Sequence, residues 1–149
     1  MPSKYWFRSD RFAIQDGEDE CTNPGRFGKS LAEWLGAELA TYGYATEVIP
    51  EDWGWCVMCS RGEFLLWVGC GCMLTEEILE STLDNPPDAT RIVWHVFYEV
   101  EVPFFKPWSL LRRMVGLLDT ATPKSQLGAA LEAIILSSSG LQHCPEPYA

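Results

Sequence analysis

Basic side chains are scarce in this sequence. There are 11 Lys and Arg residues against 21 Asp and Glu residues, and the acids are spread along the whole chain, so the formal net charge is −10. An electrostatic field of this sign repels phosphate backbones and anionic lipids. The composition therefore argues against binding to nucleic acids or to membrane surfaces, and it favours basic proteins or cationic ligands as partners.

Long apolar runs are also missing. No stretch of the sequence approaches the roughly 18–20 apolar residues that a membrane-spanning helix needs. Residues 1–6 lack the apolar core of a secretory signal peptide. We therefore expect a cytoplasmic protein, in which the six cysteines stay reduced and buried instead of forming disulfides.

The sequence does contain enough apolar material for a core. Hydrophobic residues make up 47% of the chain and aromatic residues 13%, which excludes an intrinsically disordered protein. A chain of 149 residues has the size of one ordinary domain. Since neither an internal repeat nor a long linker divides it, we expect a single domain over residues 1–149.

The segment 51–72 predicts a β-hairpin at the centre of a sheet. Two runs rich in aromatic and β-branched residues flank Arg61-Gly62, a short link of the kind that closes a hairpin. A two-residue turn at this link would pair Ser60 with Glu63 and Trp53 with Cys70. This register predicts one apolar, helix-facing set of side chains: Trp53, Trp55, Val57, Cys59, Phe64, Leu66, Val68 and Cys70.

Further strands are expected on both sides of the hairpin. Segments 5–8 and 12–14 read as one interrupted strand or two short ones, and 44–49 alternates like a strand. The longest alternation covers 91–102. It places Trp94, Val96 and Tyr98 among one set of side chains and His95, Phe97 and Glu99 among the opposite set.

The helical signals complete an α+β pattern. Asn23-Pro24 resembles a helix start, and apolar residues then recur at three- and four-residue steps up to Gly43. Thr75 caps a predicted short helix over 76–83, and two C-terminal helices are expected at 108–118 and after Thr122-Pro123, followed by a loose tail. We predict a mostly antiparallel sheet of four to six strands, with the amphipathic N-terminal helix and the two C-terminal helices packed mainly on one face.

Two loops imitate known binding motifs. Residues 23–30 resemble the phosphate-binding pattern GxxxxGK[ST] with asparagine in the first position, but an acidic segment precedes them where that motif requires a buried strand. The acidic residues 16–20 do not have the spacing of a calcium loop. We expect a solvated turn there, and a helix start without a nucleotide.

The cysteines raise a zinc alternative. Four of them, Cys56, Cys59, Cys70 and Cys72, lie in the predicted hairpin at paired spacing. In a pleated ribbon, however, Cys56 and Cys59 fall on opposite faces, and the predicted register separates Cys59 from Cys70 along the sheet. A zinc-binding protein is therefore a third hypothesis, behind two others, and no metal or other cofactor is expected.

Candidate catalytic residues are few. His95 and Glu99 lie two pleats apart on the same face of a predicted strand and could serve acid–base chemistry. Glu51 and Asp52 form a carboxylate pair beside tryptophans. No serine or cysteine nucleophile can be placed beside His95 from the sequence. A small enzyme or ligand-binding domain with a pocket near Glu51, Asp52, Trp67 and His95 is thus the alternative reading.

Three motifs together resemble a protein family. They are Asn23-Pro24-Gly25 before a helix, the segment 51–55 (Glu-Asp-Trp-Gly-Trp) and the segment 66–71 (Leu-Trp-Val-Gly-Cys-Gly). The chain is similar in these to a family of small bacterial proteins with no established activity. The resemblance implies a bacterial, stand-alone cytoplasmic protein and transfers no catalytic residue.

The leading functional hypothesis is a non-catalytic, acidic protein-binding module of the toxin-neutralising (immunity-like) or adaptor type. It rests on the negative charge, the small size and the lack of a convincing nucleophile, metal or phosphate motif in the sequence. Another protein is the expected partner, and the negative charge favours a basic one. The residues expected to contact it are Glu51, Asp52, Glu63, Trp67 and Glu99.

Overall fold

The fold is α+β, built on a six-stranded antiparallel sheet. The computed structural model describes residues 3–102, 107–114, 116 and 118–147. The strands are β1 (Lys4–Arg8), β2 (Glu47–Glu51), β3 (Gly54–Arg61), β4 (Leu65–Cys72), β5 (Trp94–Glu101) and β6 (Gln142–His143). Their order across the sheet is β2-β3-β4-β5-β1-β6, so the predicted hairpin and the predicted long strand lie side by side in its interior.

The helices are α1 (Lys29–Ala40), α2 (Glu76–Glu80), α3 (Pro107–Met114) and α4 (Ala121–Ser137). Short 3-10 turns form at Glu18–Glu20 and Ala89–Arg91. The predicted cap of α2 is confirmed, because the Thr75 side chain accepts a hydrogen bond from the Ile78 N–H. The aromatic connection predicted at 103–106 lies outside the described residues. None of the described helices is long and apolar enough to cross a membrane.

Helices α1 and α4 share one face of the sheet, as predicted for the N-terminal helix and the last one. Each contributes leucine or isoleucine at four-residue steps, including Leu31, Leu35 and Leu127. These side chains form one buried cluster with Val57, Val68 and other inward residues of the strands. The opposite side of the sheet, which we call the outer face, is therefore the surface that these two helices leave uncovered.

The hairpin is confirmed, but its predicted register is wrong. Trp55 pairs with Cys70 and Arg61 pairs with Leu65, so residues 62–64 form the connection instead of Arg61-Gly62 alone. An irregularity at Cys59, between Met58 and Ser60, adds one residue to β3. Pairing is shifted by two residues near Trp55. Because a two-residue shift preserves the faces, most of the predicted core set still points inward.

Trp53 is the exception to the predicted core set. It precedes β3, at the turn after β2, and its ring packs against Trp67 and Phe97, which belong to the outer face. The alternation rule did not apply because Trp53 is not part of the strand.

The start of α1 differs from the prediction, and Glu18 explains the difference. Glu18 is buried, and its carboxylate accepts hydrogen bonds from the backbone N–H groups of Gly28 (2.8 Å), Lys29 (3.1 Å) and Gln15 (2.8 Å). The helix therefore begins at Lys29, not at Asn23-Pro24. A resident carboxylate already occupies the N-terminal end where the phosphate-like motif would hold an anion. The acidic loop is thus not merely a solvated turn.

Three smaller predictions are also corrected. Residues 12–14 are not a strand, although Phe12 is buried. Helix α4 is capped by the Asp119 carboxylate, which accepts from the Ala121 and Thr122 N–H groups, and not by Thr122-Pro123. The predicted loose tail contains β6, which pairs with β1 through Phe7 and His143. Each correction involves a partner distant in sequence or a cap one turn earlier.

Candidate functional site

A continuous row of aromatic rings crosses the outer face. Trp6 from β1 stacks on His95 from β5 at 5.0 Å between ring centroids, with only 4° between the planes. His95 lies 5.0 Å from Phe97, and Phe97 contacts both Trp53 (5.2 Å) and Trp67 (5.6 Å). All five side chains are half-buried. The row therefore presents ring edges and faces to solvent from four separate chain segments.

The sheet register explains why these rings meet. Trp6 pairs with His95 across β1 and β5, and Gly69 pairs with Phe97 across β4 and β5. Directly opposed residues of an antiparallel pair point to the same side. The alternation in β5 thus aligns His95 and Phe97 beneath neighbours from both flanking strands.

Two glycines of β4 shape the space around the row. Gly69 and Gly71 are successive outer-face positions, so two adjacent pleats carry no side chain. The Phe97 ring fills the first gap: a Cβ on Gly69 would lie 2.4 Å from its Cζ atom. The second gap stays open, because a Cβ on Gly71 would meet only the Trp53 carbonyl oxygen, at 3.5 Å.

The gap at Gly71 is the floor of a groove of about 350 Å³. Trp53, His95 and Phe97 line one part of it, and Met73 with Leu74 lines another. Arg26 and Cys72 complete the lining. Because the glycine supplies no side chain, the groove reaches the backbone of the sheet between the rings. We call this space the Gly71 groove.

The loop that brings Arg26 to the groove is held at several points. The backbone N–H of Arg26 donates a hydrogen bond to the Asn23 carbonyl at 2.9 Å, and the Arg26 carbonyl accepts one from the Thr22 hydroxyl at 2.8 Å. The Asn23 side chain donates to the Asp52 carbonyl at 2.8 Å, next to Trp53. These bonds hold the backbone of Arg26 beside the aromatic row, and among the described residues its guanidinium group forms no ion pair.

Further bonds fix the same loop to the body of the protein. The Gly25 N–H donates to the Asp19 carboxylate at 3.0 Å, and the Cys72 thiol donates to the Gly25 carbonyl at 3.2 Å. Glu18 holds its end at Gly28. The acidic turn 18–20, which sequence reasoning treated as solvent-exposed, is thus the support for one wall of the groove.

His95 is held as a neutral ring. Burial lowers its pKa below the ordinary value, the positive charge of Lys4 lowers it further, and Glu146 acts in the opposite sense. Its Nε2 atom is buried and has no hydrogen-bond partner among the described residues. Stacked between Trp6 and Phe97, the ring serves as an aromatic surface, and no described nucleophile is bonded to it.

The four hairpin cysteines are buried thiols. Burial raises the pKa of Cys56 and of Cys59 to about 12, raises that of Cys72 to about 11, and holds that of Cys70 well above its usual range. Cys59, Cys70 and Cys72 belong to the core cluster, whereas Cys56 points to the outer face opposite Gly69. Within the described part of the chain, no group of three or more His, Cys, Asp or Glu residues is placed to hold a metal ion.

The predicted contact residues have different surroundings. Glu63 forms an ion pair with Arg112 at 2.6 Å, and Glu99 forms one with Lys124 at 3.4 Å. Asp52 is exposed and Glu51 half-buried at the turn that carries Trp53. Trp67 and His95 are joined through Phe97. The structure therefore gathers the predicted pocket residues on one side of the sheet but pairs two of the predicted acidic contacts internally.

Several residues of the aromatic row and of the Gly71 groove were missed by sequence reasoning. Trp6, Arg26, Gly71 and Phe97 were not singled out. The Gly-Cys-Gly sequence at 69–71 was a usable signal, since glycines two apart in a strand empty one face. Arg26 had no such signal, because its position depends on bonds made by Glu18, Asp19 and Asn23.

Comparisons of the chain with protein-family models, with curated proteins and with solved structures gave no match. Function is therefore inferred from the geometry of the outer face.

Proposed function

We propose that this protein is a non-catalytic binding module that recognises another protein through its outer face, in the manner of a toxin-neutralising protein or an adaptor. The aromatic row carries this proposal. Tryptophan is enriched among the residues that dominate binding energy, because a large rigid ring buries much area at little cost in conformational entropy. A bacterial, cytoplasmic setting is part of the same proposal.

The charge of the protein favours a basic partner. The net charge of −10 attracts positively charged proteins over distances of about a Debye length. Close to the row, a lysine or arginine of such a partner would find aromatic faces for cation–π contacts, and the turn at Glu51 and Asp52 for charge pairing. Glu63 and Glu99 could pair with a basic partner only if their ion pairs with Arg112 and Lys124 were broken.

The chemistry of the titratable groups supports binding over catalysis. A cysteine nucleophile must be a thiolate, and burial holds the four hairpin cysteines in the thiol form. A general base must reach the proton that it removes, and of the two ring nitrogens of His95 the Nε2 is enclosed, which leaves only Nδ1 for that role.

The test compares Trp67→Ala with the wild type as bait in a lysate of the host. Trp108→Ala is the matched control, because that side chain is 76% exposed on α3. Captured proteins are identified by mass spectrometry, purified and titrated by calorimetry at two salt concentrations. We expect a basic partner whose affinity falls with salt and is lowered roughly 30-fold by Trp67→Ala. A partner with equal affinity for both tryptophan variants would refute the proposal.

The Gly71 groove favours a second candidate, a domain that binds a small ligand. Its volume of about 350 Å³ lies at the lower end of the range for small-molecule sites, and its lining combines rings with a single formally charged side chain. Of the residues predicted around a pocket, His95 lines this groove and Trp67 contacts Phe97, which also lines it. This candidate needs no catalytic step.

A further inference from the structure

The Gly71 groove combines three features that specify a ligand. Its floor is a glycine, its walls include the rings of Trp53 and Phe97, and Arg26 is its charged lining residue. We propose that it binds a planar aromatic ring that carries a carboxylate, either a free aromatic acid or the C-terminal aromatic residue of a protein. The inference rests on the proposed use of the outer face for binding.

The aromatic part follows from shape. A flat ring entering above Gly71 can lie on the sheet backbone, because the nearest obstacle to a Cβ there is a carbonyl oxygen at 3.5 Å. Beside it, Phe97 and Trp53 offer surfaces for offset or edge-to-face contacts. His95, Met73 and Leu74 add apolar area. A branched aliphatic ligand would lose the ring contacts.

The carboxylate follows from charge. A guanidinium group presents parallel N–H donors that match the two oxygens of a carboxylate. Among the described residues, Arg26 forms no ion pair with an acidic side chain, so an incoming carboxylate would not have to displace one. The net charge of −10 disfavours a doubly charged phosphate more than a singly charged carboxylate.

The supporting contacts behind Arg26 fit a preformed site. The loop is bonded through Glu18, Asp19, Asn23 and Cys72, so its backbone is ordered before a ligand arrives. Preorganisation of this kind lowers the entropic cost of binding. Glu18, which accepts hydrogen bonds from the Gly28 and Lys29 N–H groups at the start of α1, fixes the far end of the same loop.

The experiment uses two matched pairs of probes with the full-length protein. The first pair is N-acetyl-tryptophan and its amide, which differ only in the carboxylate. The second is a short acetylated glycine–serine peptide ending in tryptophan, with a free or an amidated C-terminus. Binding is measured by calorimetry and by the amide chemical shift of Gly71. We expect the acids to bind at least tenfold more tightly than the amides and to shift the Gly71 signal.

Two variants test the site and one serves as control. Arg26→Gln should remove the preference for the acid, and Gly71→Val should abolish binding of both members of a pair. Arg91→Gln, at an exposed surface ion pair with Glu77, should change neither result. Thermal unfolding and the amide spectrum check folding. If Gly71→Val fails to fold, Gly71→Ala takes its place and should weaken binding several-fold.

The outcomes are separable. Binding of the peptide acid alone assigns the ligand to a protein terminus, whereas equal binding of the free acid assigns it to a small molecule. Equal affinity for acid and amide, binding unaffected by the Gly71 substitution, or no Gly71 shift at about 10 mM acid would overturn the inference. If Trp67→Ala weakens binding of a basic partner as expected while the acids and the amides bind equally, the groove inference fails and the proposed function stands.

Discussion

Gly69 and Gly71 give the sharpest test of the outer face, because they differ in the space available for an added side chain. Both lie on β4, two residues apart and on the same face. A Cβ on Gly69 would be 2.4, 2.6 and 2.8 Å from three atoms of the Phe97 ring. A Cβ on Gly71 would lie 3.5 Å from the Trp53 carbonyl oxygen, which is an ordinary contact distance. The same alanine substitution should therefore destabilise the protein at position 69 and be tolerated at position 71.

The expected cost follows from the ring's surroundings. Carbon atoms pack at roughly 3.5–4.0 Å, so the Phe97 ring would have to move by about 1 Å or more to admit a methyl group. It cannot retreat freely, since the ring centroids of Trp53, Trp67 and His95 all lie within 5.6 Å of its own. Overpacking of this kind costs about 1–3 kcal/mol. Gly71→Ala should change the free energy of unfolding by less than about 1 kcal/mol, in either direction.

Urea unfolding followed by circular dichroism measures both variants. At this chain length each kcal/mol lowers the Tm by about 2–4 °C, so a thermal scan gives an independent estimate. In a Phe97→Ala background, Gly69→Ala should lose most of its cost, which a double-mutant cycle reports as coupling of about 1–3 kcal/mol. Equal effects of the two alanine substitutions, or no coupling with Phe97, would show that the ring does not fill the gap above Gly69.

Three further predictions concern buried polar groups. Glu18→Ala removes the acceptor for three backbone N–H groups and should lower the free energy of unfolding in urea by about 2 kcal/mol or more. Glu20→Ala, at an exposed residue of the same turn, should change it by less than about 0.5 kcal/mol. Equal effects of the two substitutions would contradict the capping role. Maleimide at pH 8 should label Cys21 and Cys144, identified by mass spectrometry, and labelling of the four hairpin thiols in the folded protein would contradict their raised pKa values. Burial lowers the pKa of His95 in the folded protein below its ordinary 6.5, so the unfolded chain is protonated first as the pH falls. The stability contributed by the neutral ring is therefore present above pH 6.5 and is lost as the pH falls towards the folded-state pKa. His95→Phe keeps the stacking and should flatten the slope of unfolding free energy between about pH 5 and 7; an unchanged slope would assign it to other groups.

The periodicity of apolar residues predicted the strands and helices that bury one face and expose the other. The alternation in β5 and the four-residue steps of α1 and α4 reflect burial against a single surface, so they can be read without knowing the partner. The hairpin register could not be read in this way. Its connection spans 62–64 and β3 has an irregularity at Cys59, and neither feature alters the alternation of apolar residues enough to be seen in the sequence.

Contacts between distant segments account for the other errors. Asn23-Pro24 has the local chemistry of a helix start, but the Glu18 carboxylate caps the helix five residues later. Of the candidate site, Trp67 and His95 could be found from their strand positions. Arg26 could not, because its place beside the rings depends on a loop whose bonds join residues up to 47 positions apart.

The position of β1 has a consequence for synthesis. This strand comes first in chain order, yet its Lys4 pairs with Phe97, 93 residues later, and its Phe7 with His143. At a translation rate of roughly 5–20 residues per second, the wait for β5 lasts about 5–20 s. Throughout that interval two aromatic side chains destined for the interior, Tyr5 and Phe7, are without their sheet partners. During synthesis the sheet can therefore close around β1 only after residues 94–101 and 142–143 have been made.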